Sequence, residues 1–383
     1  MPLLTGIEKL KVAKLYSFND IRIEDIPIPE IGPGDALIKT HACGICSGDV
    51  MPWYIEKKAP VVIGHEPTGE IVELGREVQS SEFGPPRFAE RGRGVRSQNI
   101  NSLTQNSKLI TPNFKIGNRV FTHHHAPCFT CRLCRRGDYV QCETWKNTRI
   151  IPGGISEYIL IPKINLENDT LLLPDTLSYE DGTLIEPTAC VVKALKRVGI
   201  RRGDTVLVIG LGFMGQLNVL LARKYGAGRI IGADMVQFRL NKAKELGADE
   251  VIDVSKDNLT DALRNLTDGI MADVVVVGPN SADAMKQGIE CAGAGGKVLF
   301  FTPAKPGESL TIEPNDLYFK DIDIVTSYSC GPTDTVDALE IIESGIVSAE
   351  KLVTHRFPIE KTAEAFRLTA EAKDSLKSMI VFE

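Results

Sequence analysis

TVLVIGLGFMGQLNVLLARKYG, residues Thr205–Gly226, is the stretch whose reading decides the fold. A continuous apolar run of strand length passes directly into Gly210-Leu211-Gly212-Phe213-Met214-Gly215, and a helical pattern follows without a break. In a strand-turn-helix unit of this kind the first glycine permits a tight turn. The second lets the backbone approach a pyrophosphate, and the third lets the helix pack closely on the strand. The free N–H groups at the helix start then favour an anion. A second run, RIIGAD, ends in Asp234, 19 residues beyond Gly215. A carboxylate there accepts hydrogen bonds from a ribose diol and repels a 2'-phosphate, so NAD(H) is the expected dinucleotide. Arg239, five residues further on, is the one nearby residue that would soften this preference.

Downstream, EVIDV, DVVVVG, KVLFF and DIDIVTSY repeat the short apolar run between helical stretches. Strands buried on both faces by crossover helices read this way, so the fold class is α/β with a doubly wound parallel sheet. Upstream the pattern differs: LKVAKLYSF, DIRIEDIPIP and DALIKTHACG alternate β-branched and polar residues between Pro and Gly punctuation, as expected of a β-rich domain. A chain of 383 residues has room for two such cores. The division expected is 1–187 and 188–330, with a C-terminal segment, 331–383, returning to the first domain. Within the first domain, residues of about 80–111 (Ser80 to Thr111) are polar and aperiodic and read as a long surface excursion.

Nine cysteines are present, and four fall in PCFTCRLCRRGDYVQC with the spacing C-x2-C-x2-C-x7-C. Cys128, Cys131, Cys134 and Cys142 supply the four thiolates of a closed tetrahedral zinc site, within a lobe of about 126–145. The three residues before this lobe, His123, His124 and His125, are expected to end a strand and face a cleft or solvent. Cys46, in ACGICSGDV, joins His65 and Glu66, in VIGHEPTGE, as a thiolate, an imidazole and a carboxylate able to hold a second zinc with one open position. Glu186, in TLIEPTAC, is a further candidate carboxylate ligand, and the choice between Glu66 and Glu186 stays open at this point. Cys43, Cys190, Cys291 and Cys330 read as small buried hydrophobes.

Together GICSGDV, GHEPTGEIVELG, the four-cysteine lobe and the turn at GLGFMG resemble the zinc-containing medium-chain dehydrogenase/reductase family over nearly the whole chain, the 80–111 insertion excepted. The resemblance implies a GroES-like catalytic domain plus a Rossmann domain, two Zn2+ per chain, and a homodimer or homotetramer. LIEP around Glu186, where some alcohol dehydrogenases carry a ligand cysteine, is more similar to the sorbitol, threonine and polyol dehydrogenases. One departure is Gly48, where relatives carry the Ser or Thr that starts a proton relay. Ser47 and Glu66 are then the candidates for moving the proton, and Asp49 for orienting a zinc ligand.

The activity so implied is zinc-dependent hydride transfer between NAD(H) and a secondary alcohol or ketone, with a polyol or cyclic polyol favoured. An amino alcohol and an anionic or acyl-CoA alcohol are the alternatives on the same scaffold. Trp53 and Tyr54 are candidate pocket walls, and Lys57 and Lys58 candidate anion contacts. A zinc-free reductase and a non-catalytic nucleotide-binding protein are the rival classes. The net charge of −6 speaks against a nucleic-acid partner. No apolar run of membrane-spanning length occurs, and the N-terminus lacks the pattern of a secretory signal, so a cytoplasmic enzyme is expected.

Overall fold

The computed structural model describes residues 8–80 and 113–383. Most of the 80–111 excursion read from the sequence therefore lies outside the described residues. Two compact units are formed, one from Met1–Ala189, Cys330–Ala370 and Lys377–Glu383, the other from Cys190–Ser329 and Glu371–Leu376.

Among the described residues the first unit opens with eight strands: β1 (Lys9–Ser17), β2 (Asp20–Pro27), β3 (Ala36–Gly44), β4 (Val61–Val62), β5 (Glu66–Leu74), β6 (Arg119–Thr122), β7 (Tyr158–Ile161) and β8 (Thr170–Leu172). The alternation in KLKVAKLYS buries Leu10 and Val12 on one face of β1 and Ala13 and Leu15 on the other, and β1 pairs antiparallel with β2 and β4.

The second unit holds β9 (Thr205–Ile209), β10 (Arg229–Asp234), β11 (Glu250–Asp253), β12 (Ala272–Val277), β13 (Ala292–Phe300) and β14 (Asp323–Thr326). They form one sheet in the order β11-β10-β9-β12-β13-β14, and each adjacent pair is parallel. This is the doubly wound order 3-2-1-4-5-6, so the expected α/β class is borne out. Leu207, Ile231, Val275 and Val298, one from each of four neighbouring strands, share a fully buried cluster.

The chain then returns to the first unit with β15 (Val353–Phe357) and β16 (Lys377–Val381). They extend a seven-stranded sheet, β15-β16-β3-β5-β6-β8, in which β7 also pairs with β3. The central position of β3 matters for the site. Gly44, at its end, is paired with Glu66 of β5 on one side and with Met379 of β16 on the other.

Candidate active site

Cys46 follows β3, and His65 and Glu66 stand where β5 begins, so strand pairing brings them together. One ligand atom from each lies within 4.8 Å of the other two. Gly48 donates its backbone N–H to Cys46 Sγ at 3.3 Å. Asp49, buried, holds His65 Nδ1 at 3.0 Å, which leaves Nε2 as the ligating nitrogen, as in metal sites where a carboxylate orients the imidazole. Burial works against a charged His65, but Asp49 and Cys46 outweigh it and keep its pKa well above the ordinary imidazole value.

Glu66 is fully buried, and burial pushes its carboxyl up in spite of Lys377, whose Nζ lies 2.5 Å from Oε2. Neither carboxylate oxygen has an aligned hydrogen bond among the described residues. The contact with Lys377 is a close buried charge pair. Lys377, only 1% exposed, donates instead to the Ile45 carbonyl at 2.9 Å. The pair crosses β3 at Gly44, where a Cβ would fall 2.0 Å from Glu66 Oε2. A thiolate, an imidazole with its far nitrogen tied to a carboxylate, and a buried carboxylate lacking hydrogen bonds suit a zinc ion.

The lobe is built differently, from closely spaced turns. Sγ–Sγ separations are 3.6 Å for Cys131–Cys134 and Cys142–Cys128, and 4.0 Å for Cys128–Cys134. A tetrahedron of thiolates around zinc requires about 3.7 Å. The N–H groups of Cys131 and Cys134 point at Cys128 and Cys131 sulfurs, at 3.4 and 3.5 Å. Burial raises the Cys128 thiol, but the Thr130 hydroxyl and backbone N–H groups overcome it and bring its pKa down to about 6. Thiolate is thus favoured at one corner even before a metal arrives.

Other expected residues fall elsewhere. Glu186, in the first turn of the helix Ile185–Val198, groups with His123 and Cys330, whereas the Cys46 cluster takes Glu66. Of the histidines after β6, His123 and His125 are buried and His124 is partly exposed. His125 lies against Trp145, with ring centroids 4.1 Å apart, and burial, then His123 and Arg149, hold its pKa down to about 2. Of the four cysteines read as inert, burial raises Cys43 to about 12 and Cys291 to about 11, in keeping with that reading. Cys330 is fully buried as that reading expects, and its Sγ lies 3.9 Å from His123 Nε2. Trp53 and Tyr54 sit on a single turn, Pro52–Ile55, beneath the ammonium groups of Lys57 and Lys58. Lys377 escaped the sequence reading, because a lysine in a terminal strand carries no motif.

In the second unit, Gly210 follows β9 with φ +83°, the left-handed region open to glycine. Gly215 lies so close beneath it that a Cβ would be 2.0 Å from the Gly210 carbonyl oxygen. Gly212 caps the helix Phe213–Lys224, whose first turn also holds Met214. The Asp234 carboxylate accepts from the N–H groups of Leu211 (2.7 Å) and Val236 (2.9 Å), which fixes it beside the glycine turn. Arg239 lies 3.6 Å from Asp234. The turn, the helix start and the acid present the donors and acceptors that a dinucleotide requires.

Comparison with known proteins agrees with this geometry. The model of the alcohol dehydrogenase GroES-like domain matches residues 32–90 and 100–172, and that of the zinc-binding dehydrogenase matches residues 214–344. A sorbitol dehydrogenase of Bombyx mori is 30% identical over 96% of this chain and 97% of its own. The chain belongs to the zinc-containing medium-chain dehydrogenase/reductase family. Other relatives of this dehydrogenase include the erythritol/L-threitol dehydrogenase of Mycolicibacterium smegmatis, 26% identical over 98% of each chain. The crystal structure of 2R,3R-butanediol dehydrogenase from Bacillus subtilis superposes with a TM-score of 0.78 at 26% identity, covering 98% of this chain and all of that one. A Sinorhizobium meliloti structure at 26% identity, covering 98% of this chain and 100% of that one with a TM-score of 0.80, is bound to NADP. The enzyme class expected from sequence is therefore established.

Proposed function

We propose that this dehydrogenase oxidises a secondary hydroxyl of a polyol, and reduces the matching ketone, with NAD(H) as the hydride carrier. The observation that carries the reading is the Cys46, His65 and Glu66 cluster, with Asp49 behind the imidazole. A zinc ion in this cluster would supply Lewis-acid activation of the substrate oxygen, and the nicotinamide would take the hydride. Cys46 and His65 anchor the ion. Asp49 fixes the tautomer and direction of His65. Glu66, balanced by Lys377, is the third ligand in this reading, and Glu186 is assigned elsewhere.

Gly48 offers no hydroxyl, but a Cβ there would meet Cys46 Sγ at 3.4 Å, an ordinary contact. The proton leaves in this reading by way of Ser47, next to the metal ligand, or of ordered water. The four-cysteine lobe takes a structural zinc, since four thiolates leave no position for substrate. Asp234 favours NAD over NADP, and Gly210–Gly215 receive the pyrophosphate.

Polyols are preferred over the alternatives because the relatives matched along nearly the full chain are named for sorbitol, erythritol and threitol, and a structural neighbour for butanediol. No helix among the described residues is long and apolar enough to cross a membrane. The reading assigns the enzyme to the cytoplasm, whose reducing conditions keep thiolates available to metal. It also assigns a homo-oligomer. Tyr318 and Phe319 are each 79% exposed beside the edge strand β14, an apolar edge of the kind that a second copy covers.

The test is a panel of polyols, amino alcohols, primary alcohols and acyl-CoA alcohols with NAD, followed by NADH absorbance alongside zinc content. Oxidation of a polyol, lost in Cys46→Ala and His65→Ala with NAD binding retained, is the expected result. Full turnover by metal-stripped Cys46→Ala would overturn the assignment.

A further inference from the structure

We propose that His123, Glu186 and Cys330 form a third metal site in the first unit, separate from the Cys46 cluster and from the lobe, and that it takes zinc or a similar borderline divalent ion. The three residues come from distant parts of the chain. His123 follows β6, Glu186 lies in the first turn of the helix Ile185–Val198, and Cys330 directly precedes Gly331, the cap of the helix Pro332–Glu343. One ligand atom from each lies within 4.8 Å of the others, and all three side chains are buried.

The imidazole is built as a ligand is built. His123 Nδ1 lies 2.7 Å from Asp169 Oδ2, and the other oxygen of Asp169 accepts from the Thr335 hydroxyl, also at 2.7 Å. Asn165 donates its side-chain amide to the His123 carbonyl at 3.1 Å. With Nδ1–H committed to the carboxylate, Nε2 presents its lone pair toward Cys330 Sγ, 3.9 Å away. Nitrogen and sulfur around one tetrahedral zinc stand about 3.6 Å apart, so small side-chain shifts close the set.

The arrangement repeats the one at the Cys46 cluster: a cysteine, a glutamate, and a histidine whose Nδ1 is held by a buried aspartate, Asp49 there and Asp169 here. Charge supports the same conclusion. A thiolate and a carboxylate offset the charge of a divalent ion, whereas the ionised empty site leaves both anions buried without that compensation. His124 is not a ligand in this scheme. Its ring lies between the two clusters, 4.8 Å from His65 and 5.0 Å from His123.

The experiment counts metal. Purified full-length protein, equilibrated with buffered free zinc and dialysed, is assayed by plasma mass spectrometry, and the cobalt-substituted form is followed through its thiolate charge-transfer band. Three ions per chain are expected for the wild type. Cys330→Ser, His123→Gln and Glu186→Gln should each hold two, with Cys46→Ser losing a different one, so that Cys46→Ser/Cys330→Ser retains only the lobe's ion. A wild-type count of two, or a count unchanged by Cys330→Ser, overturns the proposal. Loss on Cys330→Ser but not on Cys46→Ser would instead refute the Cys46 assignment while leaving this one standing. Cys330→Ala, of similar volume and without a ligand atom, serves if the serine variant misfolds, and the wild-type count decides in either case.

Discussion

Lys377→Met tests the buried pair at the centre of the site. The ammonium lies 2.5 Å from Glu66 Oε2, with Lys377 1% and Glu66 0% exposed, so water cannot replace the lost charge. Removing one partner of a buried pair costs about 3–5 kcal/mol. Stranding the Ile45 carbonyl, which now accepts from Lys377, adds about 1 kcal/mol. Glu66 limits the damage by taking a proton. Burial already raises its pKa and Lys377 opposes that rise, so without the lysine the carboxyl moves higher still. A carboxyl whose folded pKa exceeds its unfolded value binds more protons when folded, and stability therefore falls as pH rises between the two values. The loss should be smaller at acid pH than at alkaline pH. At pH 8 in chelator the expected drop in melting temperature is about 8–24 °C, at roughly 2–4 °C per kcal/mol.

Zinc changes the sign of the comparison. A cation on Glu66 removes the need for Lys377, so the penalty should shrink in the loaded protein. By linkage the variant should then bind the ion at the Cys46 cluster about 100-fold more tightly per ~3 kcal/mol relieved. Thermal melts at acid and alkaline pH, competitive zinc titration, and a Glu66→Gln/Lys377→Met control complete the cycle. A Lys377→Met variant within about 1 kcal/mol of wild type at pH 8 in chelator, or one that binds zinc more weakly, would refute the reasoning.

Three further outcomes are expected. Gly215→Ala places a Cβ 2.0 Å from the Gly210 carbonyl oxygen, and because both partners are backbone the turn must open; NAD affinity measured by calorimetry should fall at least tenfold, and an unchanged Kd would deny the glycine its packing role. Asp234→Ala removes the acceptor of two backbone N–H groups and the group that disfavours a 2'-phosphate. The ratio of kcat/KM for NADP over NAD should rise, aided by Arg239 at 3.6 Å, and a ratio that stays put would remove Asp234 from cofactor choice. Cys142→Ser breaks a four-thiolate set, so one zinc should be lost and the melting temperature should drop, with NAD binding retained; unchanged metal content would argue against the lobe as a zinc site.

What was legible in the sequence was local. The passage from TVLVIG into Gly210–Gly215 announces β9, its turn and its helix, because consecutive residues alone supply the apolar run, the glycines and the helix start. The lobe announces itself in the same way, since successive ligands three to eight residues apart need little folding to meet. Even Cys46 and His65, 19 residues apart, lie in phrases whose chemistry is complete within a few letters. Tertiary structure alone decided which glutamate joins them. Glu66 does so through the register of β3 and β5, and the same sheet carries Lys377 across Gly44 from a strand more than 300 residues away. Cys330 read as a small hydrophobe, and only folding sets it against His123, with Asp169 behind. A single buried residue leaves no periodic trace, so its meaning resides in the partners that packing supplies.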